Sequence, residues 1–196
     1  MATSKRVGIY GGSFSPIHLA HTILAQYLID HGYVDEVWLM VSPQNPLKST
    51  HFLYPESLRI EMAQMATAHL PKVKVSDFEC HLPKPTYTVF TMDALCTEYP
   101  EVEFTLLVGG DNWRLFDRWR EGERLLSLCK LLVYPRPGFL LSDEEIAALP
   151  SSVTYLADAP LMNMSSTEIR QAIEAGESCQ DTLHPDVEKR LHEYMS

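Results

Sequence analysis

Short apolar or β-branched runs alternate along this chain with longer stretches in which apolar residues recur every three to four positions. The runs at Arg6 to Tyr10, Glu36 to Val41, Val73 to Ser76, Phe104 to Val108, Leu131 to Tyr134 and Val153 to Leu156 have the length and composition of strands. Helical spacing covers His18 to His31, Pro55 to Ala68, Thr88 to Tyr99, Asn112 to Trp119, Asp143 to Leu149, Thr167 to Ala175 and Pro185 to Tyr194. That alternation predicts an α/β fold: a parallel sheet of about five to six strands with helices on both faces. The 196 residues suit one domain, with a helical part from about residue 160 onward. Ligands of such sheets lie beyond the carboxyl ends of the strands. The segments following the strands are rich in Gly, Ser, Pro, His and Asp, and chemistry is expected there.

Charge narrows what those segments bind. With 16 Lys and Arg against 26 Asp and Glu the formal net charge is −10, a field that repels nucleic-acid backbones. A bound anion must then be held locally, by oriented backbone N–H groups, helix N-termini and a few placed cations. Cys80, Cys96, Cys129 and Cys179 form no C-x-x-C pair and no zinc-finger spacing, so free thiols in a reducing cytoplasm are expected. The first apolar run reaches glycines too soon for a signal segment or a membrane span.

After the first strand comes Gly11-Gly12-Ser13-Phe14-Ser15-Pro16-Ile17-His18-Leu19-Ala20-His21. The glycines allow close approach of a ligand, and the helix start offers free N–H groups to phosphate. Spaced three apart, His18 and His21 project from one helix face toward whatever the glycine turn holds. The pattern is neither G-x-G-x-x-G nor the P-loop, and it lacks H-E-x-x-H zinc spacing, so no metal ligands are nominated. Taken alone, it also fits an ordinary turn followed by surface or capping histidines.

Near the other end, Asn163-Met164-Ser165-Ser166-Thr167-Glu168-Ile169-Arg170 opens another helix, with Ser165 or Ser166 as N-cap and Glu168 available for a capping box. Hydroxyls and free N–H groups meet there, and Arg170 adds a permanent cation suited to phosphate oxygens. A plain capping box is the competing reading. Together, the two helix starts would supply both clamps for a triphosphate.

The H-x-x-H pair resembles the (H/T)xGH signature of the nucleotidyltransferase superfamily, and S-S-T-x-I-R resembles its second signature, in the expected order. Over nearly its whole length the chain resembles the bacterial nicotinate mononucleotide adenylyltransferases. The likeness includes Pro43 to Lys48, Arg59, Pro85-Thr86-Tyr87-Thr88 and Val108-Gly109-Gly110-Asp111-Asn112-Trp113. It continues through Leu115, Trp119, Leu125 and Leu126 to Tyr134-Pro135-Arg136-Pro137-Gly138 and His184-Pro185-Asp186-Val187.

The resemblance implies a Rossmann-like nucleotidyltransferase fold and transfer of AMP from ATP to nicotinate mononucleotide, with Mg²⁺ carried on the substrate phosphates. It implies catalytic roles for His18, His21 and Arg170, and ATP contacts at Gly11, Gly12, Ser13, Phe14, Gly109, Asp111, Ser166 and Thr167. For the mononucleotide it implies Thr86, Tyr87, Trp113 and Arg136, with Lys48 and Arg59 as further candidates for phosphate or loop contacts. Trp113 is the candidate platform for the pyridine ring because it follows a strand end directly. Trp119, six residues on, falls on another helix face, and at least one of the two packs against core. Asp111 also suits a helix N-cap. A different acceptor, nicotinamide mononucleotide among them, is the alternative within the superfamily, and homo-oligomer formation is left open.

Three positions depart from the family pattern. Ser15 stands in place of Asp, Ala20 replaces the Gly between the histidines, and Leu47 interrupts the Pro-Pro-His-Lys run before Lys48.

Overall fold

A computed structural model describes residues 4–43 and 53–195; Lys48 lies outside the described residues. The described strands are β1 (Lys5–Gly12), β2 (Glu36–Val41), β3 (Val73–Ser76), β4 (Val102–Gly109), β5 (Lys130–Tyr134) and β6 (Val153–Tyr155). They form one sheet in the order β3-β2-β1-β4-β5-β6, every pairing parallel. The order reverses between β1 and β4, and a crevice opens outside their carboxyl ends at such a switch point.

Both faces of the sheet are covered, which is why its strands read as continuous apolar runs. Side chains alternate between two cores. Tyr10, Leu107 and Leu132 face one side, where α1 (Leu19–Asp30), α2 (Glu56–Thr67), α7 (Ser166–Glu174) and α8 (Pro185–Met195) bury Leu24, Leu28, Met62, Ile169 and Leu191. Val7, Ile9, Leu106, Val108, Leu131 and Val133 face the other, against Met92 and Leu95 of α3 (Thr88–Glu98) and Leu125 of α5 (Gly122–Leu128).

The helix expected from Asn112 to Trp119 is not continuous. A four-residue helix α4 (Gly110–Trp113) is followed by a 3₁₀ turn at Phe116–Arg118, an extended Trp119, and Glu121 in the left-handed region (φ 51°) before α5. Leu115 is exposed while Phe116 is buried, so the apolar spacing there served two separate turns. α6 (Asp143–Ala147) begins with a capping box between Ser142 and Glu145.

Candidate active site

β1 ends in Gly11 and Gly12, and the chain then folds under itself to enter α1 at His18. A Cβ on Gly12 would lie 3.0 Å from the Phe14 ring, so close packing requires the glycine. Phe14 has φ 44°, a left-handed conformation costing an ordinary residue about 1 kcal/mol or more. Its buried ring stands edge-on to His21 at 5.0 Å and belongs to the α1-side core, so it supports the histidines from beneath. Ser15 is fully buried, and its Oγ accepts a hydrogen bond from the Tyr54 N–H at 3.0 Å. The hydroxyl braces the loop where the family pattern has a carboxylate.

His18 and His21 stack with centroids 3.7 Å apart. His21 Nδ1 accepts the His18 backbone N–H at 3.2 Å, which leaves Nε2 as the nitrogen carrying the proton in the neutral ring. Burial pushes the His18 pKa down to about 4, with the nearby Arg136 charge acting in the same sense. His21 is also held well below the usual imidazole range, by desolvation first and then by the charges of His18 and Arg136. His18 Nδ1 is buried and has no protein hydrogen-bond partner among the described residues.

These shifts have a stability consequence. A His whose folded pKa is depressed takes up its proton more readily when unfolded, so stability is complete above the unfolded value of 6.5 and falls as pH drops toward about 4. For His18 the full effect is about 3 kcal/mol. The slope of urea-unfolding free energy between pH 6.5 and 4 is expected to be shallower in His18→Asn than in the wild type; identical slopes would show the ring already protonated in the fold.

The helix start of α7 lies on this loop. Ser165 Oγ accepts the Thr167 N–H at 3.2 Å as N-cap, and Ser166 Oγ donates to Pro16 O at 3.0 Å. Arg170 Nη1 donates to Ser15 O, and Nη2 to Thr167 Oγ1 at 3.1 Å. Residues 150 and more apart in sequence thus meet where α1 begins.

Just after β4, Asp111 Oδ1 is buried without a hydrogen-bond partner among the described residues, 3.9 Å from Arg136 Nε. A Cβ on Gly109 would come within 2.5 Å of that oxygen and 3.1 Å of the Tyr134 hydroxyl. Tyr134 and Tyr10 exchange a 3.3 Å hydroxyl contact beside His21. Arg136, which the resemblance implies as a mononucleotide contact, stands by Asp111, and its charge lowers the pKa of both imidazoles.

A cavity of about 390 Å³ opens on the other flank, within the usual range for small-molecule sites. Gly11, Gly12 and Ser13 line it together with Thr86, Tyr87, Ile9, Met40 and Val108. Trp119 lines it too, with its buried indole N–H unpartnered among the described residues. Trp113 is not among the lining residues; its ring packs on Phe116 at 4.9 Å. The break in the expected helix decides this, because the extended backbone at Trp119 turns the second indole inward.

Glu79 was not legible as a site residue, since Phe-Glu-Cys carries no motif. Its buried carboxylate lines the cavity and accepts from Ser42 Oγ at 2.6 Å and Thr91 Oγ1 at 3.2 Å. Arg59 makes a loop contact and touches no open surface: 1% exposed, it donates to Ser13 O (2.6 Å), Ser42 O (2.8 Å) and Tyr54 O (3.0 Å). Among the described residues no group of three or more His, Cys, Asp and Glu side chains could by itself enclose a metal.

A switch-point crevice with paired neutral imidazoles, a guanidinium over the opposing helix start and an adjoining aromatic cavity has the architecture of a nucleotidyltransferase. The comparisons with known proteins agree. A profile of the cytidylyltransferase-like family matches residues 9–172. A nicotinate-nucleotide adenylyltransferase of Bacteroides fragilis is 49% identical over 97% of this chain and 92% of its own. One from Bacteroides thetaiotaomicron is 44% identical over 100% and 96% respectively. The nicotinic acid mononucleotide adenylyltransferase of Plasmodium falciparum, solved with NaAD, superposes with a TM-score of 0.78 at 23% identity, covering 97% of this chain and 96% of its own. The chain belongs to the cytidylyltransferase-like family and, within it, to the nicotinate-nucleotide adenylyltransferases.

Proposed function

We propose that the phosphate of nicotinate mononucleotide attacks the α-phosphorus of ATP, forming one P–O bond as the bond to the β-phosphate oxygen breaks, to give nicotinate adenine dinucleotide and pyrophosphate. The observation that carries this reading is the meeting of the two helix starts, with Arg170 and Ser166 bonded to the loop that leads into His18 and His21. No covalent enzyme intermediate is needed, so the protein's work is positioning and charge stabilisation.

In this reading ATP lies against Gly11, Gly12, Ser13, Gly109, Asp111, Ser166 and Thr167, its triphosphate between His18, His21, Arg170 and Arg136. His21 Nε2–H donates to the α-phosphate oxygens as charge builds in the transition state, while the guanidinium of Arg170 offsets the departing pyrophosphate. Half-buried Asp111 is suited to accept from a ribose hydroxyl, its buried Oδ1 having no hydrogen-bond partner among the described residues. The donor set fits a divalent ion that enters on ATP rather than one caged by protein, and Mg²⁺ prefers such phosphate and water ligands. When bound, it neutralises charge on the phosphate oxygens.

The mononucleotide occupies the cavity, with Thr86, Tyr87 and Trp119 about the pyridine ring. Stacking on one aromatic face contributes about 1–3 kcal/mol, so Trp119→Ala is expected to raise KM for the mononucleotide about tenfold or more while Trp113→Ala leaves it within about twofold. The reverse ranking in initial-rate kinetics would return the platform to Trp113.

The reading as a whole is tested by pyrophosphate release and dinucleotide formation with ATP and either nicotinate or nicotinamide mononucleotide. Turnover of the acid form is expected to dominate. Reaction of the amide form alone would replace the acceptor and keep the reaction class, and release of no pyrophosphate with either would remove the class. The proposed setting is the cytoplasm, where the four free thiols would stay reduced, with the chain acting as a single domain built on its one sheet; among the described residues no helix is long and apolar enough to cross a membrane.

A further inference from the structure

Two guanidinium groups, Arg118 and Arg120, flank Trp119 in the chain, and both line the cavity of a protein whose formal net charge is −10. They are not equivalent. The Arg120 guanidinium lies over the Tyr87 ring at 5.1 Å and the Phe90 ring at 5.4 Å. Its ion pair with Glu121 Oε1 is long, at 3.7 Å from Nε. The carboxyl group of Glu121 is engaged instead by Arg124, at 3.1 Å from Oε2. Arg118 makes no comparable contact with an aromatic face.

Tyr87 and Phe90 stand edge to face, 84° apart, and the guanidinium lies against both, with its fork of N–H donors available to an acceptor in the cavity. Ring packing also restricts a side chain that otherwise loses much rotamer freedom when it binds. The result is a two-pronged donor beside Tyr87 in the lining of the cavity. In the proposed function Tyr87 is one of the residues about the pyridine ring, so the group at Arg120 lies beside the heterocycle. Nothing in the nicotinamide form rewards a second positive charge beside a cationic pyridinium, whereas the acid form carries a carboxylate that matches a planar fork.

Building on the proposed function, we propose that Arg120, held on Tyr87 and Phe90, is a specificity-determining residue that reads the ring carboxylate of the acceptor and so favours the acid over the amide. Its contribution is differential. Removing it withdraws an attraction felt by one substrate and leaves the other unaffected or slightly relieved of repulsion.

The experiment measures kcat/KM for nicotinate and nicotinamide mononucleotides, at saturating ATP, in wild type, Arg120→Gln and Arg120→Lys. In Arg120→Gln the acid-to-amide ratio is expected to fall about tenfold or more, the scale of one hydrogen bond to a charged group. Arg120→Lys is expected to lie between, since an ammonium keeps the charge and loses the fork. An unchanged ratio in Arg120→Gln, or an equal loss for both substrates, overturns the assignment while a wild type active on the acid leaves the acceptor reading standing. A wild type that makes no dinucleotide from the acid overturns both.

Discussion

His21→Ala is expected to lower turnover by about two to three orders of magnitude, the cost of deleting one pre-aimed donor from a transition state, while the folded protein melts within a few degrees of wild type. Stability changes little because what is lost at the start of α1 is one hydrogen bond, from the His18 N–H to Nδ1, worth about 1 kcal/mol, with the ring contacts to His18, Phe14 and Tyr10. About 2–4 °C in Tm corresponds to that loss in a chain of this size. The rate changes greatly because Nδ1 is already committed as an acceptor, which turns the proton-bearing Nε2 into the ring's only donor.

The same geometry sets the pH behaviour. With the His21 pKa well below the usual imidazole value, the neutral donor form persists as pH rises, so kcat/KM for ATP is expected to hold level from about pH 6.5 to 8. A rate that depended on an imidazolium would decline through that interval. A His21→Ala protein with near-normal kcat, or a wild-type profile falling through the interval, would remove the ring from the proposed role.

Much of this site was readable before any coordinates because its chemistry is carried by two contiguous words. Gly11 to His21 and Ser165 to Arg170 each sit at a helix start, and helix starts announce themselves by caps, glycines and short polar residues. The strands were equally plain, since a parallel sheet covered on both faces turns each strand into an unbroken apolar run. Contacts made across sequence were not readable. Nothing local distinguishes Trp119 from Trp113 until the 3₁₀ turn ends at an extended Trp119 and Glu121, left-handed, leads into α5. α5 escaped notice for a similar reason, being seven residues long, opening on a glycine and burying only Leu125. Glu79 and Arg120 acquire meaning from partners on other elements, Ser42 and Thr91 for the first and Tyr87 and Phe90 for the second.

Arg59 is the extreme case of meaning supplied from a distance, and Arg59→Ala is expected to lose about 3–5 kcal/mol of folding stability. The guanidinium leaves the first turn of α2 and is buried to 1% exposure among three carbonyl oxygens: Ser13 from the nucleotide loop, Ser42 from the end of β2, and Tyr54 from the entry to α2. Desolvation pulls its pKa down, yet a guanidinium remains charged, so the cation is retained at a cost that the carbonyl dipoles offset. Deleting the side chain strands those acceptors around a cavity, and each buried carbonyl left without a partner carries its own desolvation penalty. In a chain of this size the loss corresponds to a fall in Tm of about 6–20 °C. Arg59→Lys is expected to fall between, because one ammonium cannot span three acceptors held in a planar fork. The effect reaches ATP as well: the Ser13 carbonyl is one peptide from the Phe14 backbone that props His21, so variants assayed well below their Tm are expected to show a raised KM for ATP. Arg59→Ala melting within a degree or two of wild type would mean that the loop is held by other contacts and that this buried cation contributes nothing to its shape.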